Sequence, residues 1–277
     1  MKLVMTLLLR NEEDILASTI DYHLNQGVDY IIATDNLSDD GTPDILESYR
    51  QMGVLQVIQE SEDNYAQHKW VTRMARLACT EYQADWVINN DADEFWWPEQ
   101  GDNIKGILAA QDESVLAVTA PRTNFVPLGA GNPAQVLGRM IYRESDSRNA
   151  LGEPLQSKVC HRAHPDIEVA QGNHSVKCNG VPWQAAQAPL LIFHFPLRHY
   201  GQFSRKIALG GAAYARNDYL KPGMGSAWRR LYEKWQVGEL EAYYQEQTWT
   251  DEQIVAGLDS GKLIRDERLK GYLAGLK

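Results

Sequence analysis

The chain has 277 residues, enough for one large α/β domain or for a domain with an appendage. Hydrophobic residues make up 44% and charged residues 23%, ordinary values for a globular protein. The net charge of −10 argues against nucleic acid or an anionic membrane surface as the main partner, because both need basic patches; an anionic substrate stays open, since a metal can supply local positive charge.

Lys2 to Leu9 is a mostly apolar run of strand length, the pattern of a central parallel strand buried on both faces. It runs straight into Arg10-Asn11-Glu12-Glu13-Asp14 with no small-residue cleavage site, so a strand is expected there and not a signal peptide. Asn11 can cap a helix whose first turn holds Glu12, Glu13 and Asp14, with Leu16, Ile20 and Leu24 on its apolar face and Gly27 at its end. Val28 to Thr34 reads as a second strand, and Thr42-Pro43 opens a second helix that ends near Gly53. Val54 to Ile58 is a third strand, and Asp85 to Asn89 a fourth. Between them Ala66 to Tyr82 is a helix with Trp70, Met74, Leu77 and Ala78 on one face. The order β-α-β-α-β-α-β predicts an α/β fold with a doubly wound, mostly parallel sheet flanked by helices. Such sheets bind ligands outside the carboxyl ends of their strands. Here those ends are Arg10 to Glu13, Asp35 to Gly41, Glu60 to Asn64 and Asp91 to Glu94, all polar.

Beyond Trp97 the pattern changes. A helix is expected over Gln100 to Ala110, a strand over Val115 to Ala120, and a Gly-, Pro- and Asn-rich loop over Pro121 to Pro133. Further strands are expected over Val136 to Tyr142, Lys158 to His161 and Leu190 to Phe195. The polar stretch Glu144 to Pro154 reads as a lid. Helices are expected over Tyr200 to Leu220, Ala227 to Gln247 and Asp251 to Leu258. The division expected is a domain over 1–206 and a helical C-terminal extension over 207–277, packed on the same domain.

Asp91 and Asp93 follow the fourth strand two residues apart. In extended backbone they would point to one side, and two carboxylates held that close raise each other's pKa unless a cation sits between them. That is the pattern of a hard-oxygen site for Mg²⁺ or Mn²⁺, with open positions for a substrate phosphate. Asn36, Ser38, Asp40, Gly41 and Glu47 fit the spacing of a calcium loop, but a strand precedes them, the first position is Asn and Pro43 interrupts. Cys160, His164, His174 and Cys178 are spaced so that they either hold a structural zinc or stand as separate thiols and surface histidines. Three cysteines, with Cys79, cannot all pair, which suits a reducing compartment. No apolar run approaches the ~20 residues of a membrane span. A cytoplasmic location is expected.

Three motifs in order carry a family resemblance: Leu8-Leu9-Arg10-Asn11-Glu12, Asp35-Asn36-x-Ser38-x-Asp40-Gly41-Thr42, and Asn90-Asp91-Ala92-Asp93-Glu94-Phe95. The later His194-Phe195-x-x-Arg198-His199-Tyr200 adds to it. Over roughly Met1 to Lys206 the chain resembles a glycosyltransferase of the GT-A fold, close to family 2. The resemblance implies transfer of a hexosyl or related sugar from a nucleotide-sugar donor to a hydroxyl of a glycan, lipid or protein acceptor. It implies Mn²⁺ or Mg²⁺ as cofactor, with Asp93 coordinating it, Asp91 either a further ligand or on the ribose or a metal-bound water, and His194 either completing the metal shell or packing as a core histidine. Donor contacts would come from Arg10, Asn11, Glu12, Asp35, Asn36, Asp40 and Asp91, with the Asp35 loop on the base or ribose. Family 2 members invert, which requires a general base. Asp166, Glu168 and His174 are the candidates, each equally readable as a surface residue. Arg198 and Lys206 either stabilise the leaving diphosphate or are solvated helix residues. Trp96 and Trp97 either stack on sugar faces or pack in the core.

Two other classes compete with this reading. A nucleotidyltransferase would normally show a Gly-rich basic loop where this chain has Asn11-Glu12-Glu13-Asp14. A non-catalytic sugar- or calcium-binding module would bind without turnover. Peripheral membrane contact through the C-terminal helices, and the oligomeric state, stay open.

Overall fold

The computed structural model describes residues 1–64, 66–129, 136–217 and 225–276. Their contacts gather into two compact units. The first comprises Met1–Glu62, Ala66–Arg122 and Gln156–Phe193; the second comprises Asp63–Tyr65, Thr123–Leu155 and His194–Lys277.

In the first unit the expected alternation is present: β1 (Leu3–Leu9), α1 (Leu16–Asn25), β2 (Tyr30–Asp35), α2 (Thr42–Gln51), β3 (Leu55–Gln59), α3 (Gln67–Thr80) and β4 (Trp86–Asp91). Next come β5 (Glu94–Pro98), α4 (Ile104–Ala109) and β6 (Ala117–Ala120). A seven-stranded sheet runs in the order Ala185–Gln187, β6, Lys158–Arg162, β4, β1, β2, β3. β1 pairs in parallel with both β2 and β4, while Lys158–Arg162 runs antiparallel between β4 and β6. Leu3, Val4, Met5 and Leu7 are all fully buried, so both faces of the central strand are covered, as its unbroken apolar run requires. On one face Val4, Ile32 and Val87 pack with Val71, Met74, Ala75 and Ala78 of α3. A hairpin, Ile167–Val169 against Val176–Cys178, adds Ile167, Val169, Val176 and Cys178 to that cluster.

The register sets the site. Leu8 lies beside Asp91, and Leu9 beside Asp35. The carboxyl ends of β1, β2 and β4 therefore stop level, and their polar loops share one edge of the sheet.

The second unit is mostly helical: Tyr200–Arg216, Ser226–Gln236, Leu240–Gln247, Asp251–Asp259 and Arg268–Gly275, with strands Tyr142–Glu144 and Leu263–Arg265 paired antiparallel. Thr250 and Gln253 form a capping box on Asp251–Asp259. The position 206 falls inside the helix Tyr200–Arg216. No helix among the described residues is long and apolar enough to cross a membrane.

Several expected elements differ. Asn11 does not cap α1, which begins at Leu16; Asn11 has φ 58° and is held by the loop after β2. Val136–Arg139 is a short helix, and the strand is Tyr142–Glu144. The helix expected over Ala227 to Gln247 breaks at Gly238, whose φ of 78° no helical residue adopts. Residues 130–133 of the expected loop and 218–220 of the expected helix lie outside the described residues. Within the stretch read as a lid, Asn149 Oδ1 accepts from the backbone N–H groups of Leu151 and Glu153.

Buried histidines make stability depend on pH. Burial lowers His23, His161 and His174 from 6.5 to about 4. On unfolding, each takes up a proton at any pH between those values. Their contribution is therefore complete above pH 6.5 and is lost as pH falls toward 4. Glu94 acts in the opposite sense, because burial raises its folded carboxyl above the unfolded value. The net expectation near pH 5 is an uptake of about two protons on unfolding from these four groups, a slope of roughly 2–3 kcal/mol per pH unit. Urea denaturation at pH 5 and pH 6.5 measures it. His23→Gln and His161→Gln should each flatten the slope, and a wild-type stability level across this range would refute the assignment.

Candidate active site

β4 does not continue through the second aspartate. The strand ends at Asp91, Ala92 and Asp93 form a turn, and β5 starts at Glu94. The alternation expected of an extended D-x-D thus gives way to a turn. Asp91 is one-third exposed, whereas Asp93 is 4% and Glu94 0% exposed. The turn is anchored from below. Asn90 Nδ2 donates to the Glu94 carbonyl oxygen at 3.1 Å, and Trp96 Nε1 donates to Asn90 Oδ1 at 2.9 Å. Thr19 Oγ1 donates to the Ala92 carbonyl oxygen at 2.7 Å, and Tyr22 Oη to that of Trp96 at 2.9 Å. Trp96 is fully buried, and Trp97 stacks on Phe193 with ring centroids 5.2 Å apart. Trp96 is a packing residue beneath the turn, whereas Trp97 is half-buried.

A buried cation meets this turn from the side. Lys158 opens the antiparallel strand beside β4, and its ammonium is paired with Asp91 Oδ2 and lies 3.4 Å from Glu94 Oε1. Asn173 Nδ2 donates to Asp91 Oδ1 at 3.3 Å. Asn173 is itself set by Gln67 at the start of α3, whose Nε2 donates to Asn173 Oδ1 at 3.0 Å. Arg122 reaches Glu94 Oε1 at 3.3 Å. Burial pushes the Glu94 carboxyl up; Lys158 and Arg122 pull it down, and Asp91 and Asp93 push it further up.

The loops after β1 and β2 lock into each other. Asn11 N–H donates to Ser38 Oγ at 3.0 Å, Asp39 N–H to Asn11 Oδ1 at 2.9 Å, and Glu12 N–H to Thr42 Oγ1 at 2.9 Å. Gly41 N–H donates to Glu13 Oε2 at 2.7 Å, and Asp40 Oδ1 accepts from Thr42 N–H at 2.9 Å. Asn36 Nδ2 bridges to the carbonyl oxygens of Glu60 and Glu62. Asn36 and Asp40 thus shape the loops. Asp35 is buried at the end of β2, with Oδ1 accepting from Ser38 N–H at 3.2 Å. Buried Asn11 Nδ2 has no hydrogen-bond partner among the described residues.

The base candidates separate by environment. Glu168 sits opposite Lys177 in the hairpin and pairs with it at 2.9 Å, which lowers its pKa. Asp166 is exposed in a turn where its N–H donates to His164 Nδ1. His174 lies beside the Asp91 cluster. Its Nδ1 is 2.9 Å from the Ser157 carbonyl oxygen, which can only accept, so Nδ1 carries the proton and Nε2 the lone pair. Gly172, at φ 78°, lets the ring in: a Cβ there would lie 2.6 Å from His174 Nε2.

The zinc reading gathers only two of its four residues. Cys178 Sγ is 3.2 Å from His164 Nδ1, while Cys160 is fully buried in the sheet and His174 is bonded to Ser157. The calcium reading fails at Glu47, which lies on α2 and binds Arg50 through both oxygens. His194 belongs to the second unit, with Nδ1 2.7 Å from Asn124 Oδ1. Arg198 is buried there, and its guanidinium donates to the Phe195 carbonyl oxygen at 3.2 Å. Lys206 lies within the helix Tyr200–Arg216.

The divalent cation that the resemblance implies needs a donor set. Among the described residues no three His, Cys, Asp or Glu side chains are grouped to hold a metal ion. Asp91 already has an ammonium on one oxygen and an amide on the other. The residues present do not fit a divalent cation seated on Asp91.

Sequence reasoning missed Lys158, Asn173 and Arg122. Their signal is weak, since each lies at least 28 residues from its carboxylate partner. A lysine opening a strand, directly before the apolar Val159 and Cys160, was the one readable hint.

Comparison with known proteins agrees on class. No curated protein matches the sequence. Among solved structures, Staphylococcus aureus TarS residues 1–349 in complex with UDP-GlcNAc is similar at 13% identity over 86% of this chain and 73% of that one, with a TM-score of 0.44. Mycobacterium tuberculosis glucosyl-3-phosphoglycerate synthase, in complex with Mn²⁺, UDP and phosphoglyceric acid, is 20% identical over 44% of this chain and 43% of that one, with a TM-score of 0.32. Nothing about this chain is inferred from likenesses of that size. The sequence family described as Glycosyltransferase family 92 matches residues 5–164, from β1 to just past the strand that carries Lys158. The family matched is numbered 92, where the motifs resembled family 2. The match takes in the interlocked loops, the Asp91–Asp93 turn and more than half of the sequence: the chain belongs to glycosyltransferase family 92.

Proposed function

We propose that the chain transfers a sugar from a nucleoside diphosphate donor to an acceptor hydroxyl. The observation that carries this reading is the level ending of β1, β2 and β4, which sets Asp35, Asn11 and the Asp91–Asp93 turn along one sheet edge. Family membership supports the transfer chemistry. On this reading the Asp35 loop and Asn11 Nδ2, which has no partner among the described residues, take the nucleoside. The Asp91–Asp93 turn orients the ribose and the sugar through hydrogen bonds.

Transfer by single displacement with inversion is part of the proposal. His174 is the base it favours among the three candidates, because its Nε2 keeps the lone pair and its neighbour Asn173 touches Asp91. With its pKa lowered to about 4 by burial and by Lys158, the ring stays neutral through the physiological range and Nε2 keeps its lone pair there.

The test is incubation with UDP-, GDP- and CMP-sugars with and without added Mn²⁺. Release of the nucleotide from one donor, with hydrolysis standing in for the missing acceptor, supports the reading. No release and no thermal shift with any donor would remove it.

A further inference from the structure

We propose that the Lys158 ammonium is the permanent counter-charge of Asp91, which makes Asp91 a hydrogen-bonding partner of the donor and not a ligand of a divalent cation. This rests on the reading of the cluster as the donor site and sharpens it. Lys158 has a side chain 2% exposed, and a buried ammonium needs carboxylates around it. It has two, Asp91 Oδ2 in direct ion pair and Glu94 Oε1 at 3.4 Å. Arg122 adds a second positive charge on Glu94.

Asp91 is fixed from both sides. Asn173 holds Oδ1 at 3.3 Å, and Gln67 holds Asn173. A dication brought to the same carboxylate would stand within a few ångström of the ammonium and be repelled by it. The side chain is nonetheless 34% exposed, which leaves a hydroxyl of the donor room to donate to it. Lys158 also lowers the negative charge of the rim, so an anionic diphosphate can approach. Lys158 does not touch the donor itself. It is a positioning residue that acts through Asp91.

Mn²⁺ binding followed by electron paramagnetic resonance tests this on the intact protein, with and without UDP. Wild type, Asp91→Asn and Lys158→Ala are compared. Asp91→Asn should bind Mn²⁺ as the wild type does, within about twofold. Lys158→Ala leaves Asp91 and Glu94 facing each other without a cation, and should bind Mn²⁺ about tenfold more tightly or better. Loss of about tenfold or more in affinity on Asp91→Asn, in either condition, overturns the inference. Folded Lys158→Ala with unchanged affinity overturns it too. If Lys158→Ala does not fold, wild type against Asp91→Asn decides alone. None of these readouts requires turnover, so a failure here and a failure of the donor reading are separate results.

Discussion

Asp93→Asn should lower sugar-nucleotide turnover by about 100-fold while leaving the protein folded. Asp93 is buried beside Glu94, and its charge raises the Glu94 carboxyl together with that of Asp91. The amide keeps the shape of the side chain and removes its charge. The donor loses a carboxylate that orients it, and misplacement of the reacting atoms by about 1 Å is enough for a loss of this size. Initial rates on the best donor, with a thermal melt, measure both. A variant with wild-type turnover would show that Asp93 has no part in the reaction. A variant that loses turnover only because it unfolds would show that the charge serves the fold and not the reaction.

The largest stability effect is expected at Trp96. Trp96→Ala removes a fully buried indole, at a cost of about 3–5 kcal/mol, and strands the buried Asn90 Oδ1 that accepted from it. Trp96→Phe keeps most of the packing and loses the hydrogen bond, for about 1–3 kcal/mol. Urea denaturation distinguishes the two. Because β5 starts at Glu94, a loosened Trp96 also frees the turn above it. Trp96→Phe should therefore weaken donor binding more than a surface substitution does. A change in stability under about 1 kcal/mol for Trp96→Ala would mean that the indole does not anchor the turn.

The parallel half of the sheet was legible in the sequence because local signals agreed with each other. β1 to β4 are short apolar runs separated by amphipathic helices, with Gly27 and Gly53 in the left-handed conformation after their helices. The chain beyond β4 was less legible. The antiparallel strand Lys158–Arg162 pairs with residues some seventy positions away, and no local pattern encodes that register. Val136–Arg139 is four residues of apolar and basic character, too short for periodicity to separate helix from strand. Gly238 breaks a pattern that is helical on both sides of it, and a lone glycine in such a pattern is a weak stop signal.

The site divides the same way. Asp35, Asp91 and Asp93 were readable from their place at strand ends. Their surroundings were not. The extended-strand argument for Asp91 and Asp93 failed because Ala92 and Asp93 turn, a tertiary choice fixed by Thr19 and Asn90. Lys158 escaped because a charge at the head of a strand reads as an edge residue, whereas here it is buried between two acids.

The central claim is tested most directly by a crystal structure of the protein with the sugar nucleotide that binds it most tightly. The account predicts the nucleoside within hydrogen-bond reach of Asp35 and Asn11, and the diphosphate alongside the Asp91–Asp93 turn. A donor seated on any other surface, with that turn untouched, would contradict it.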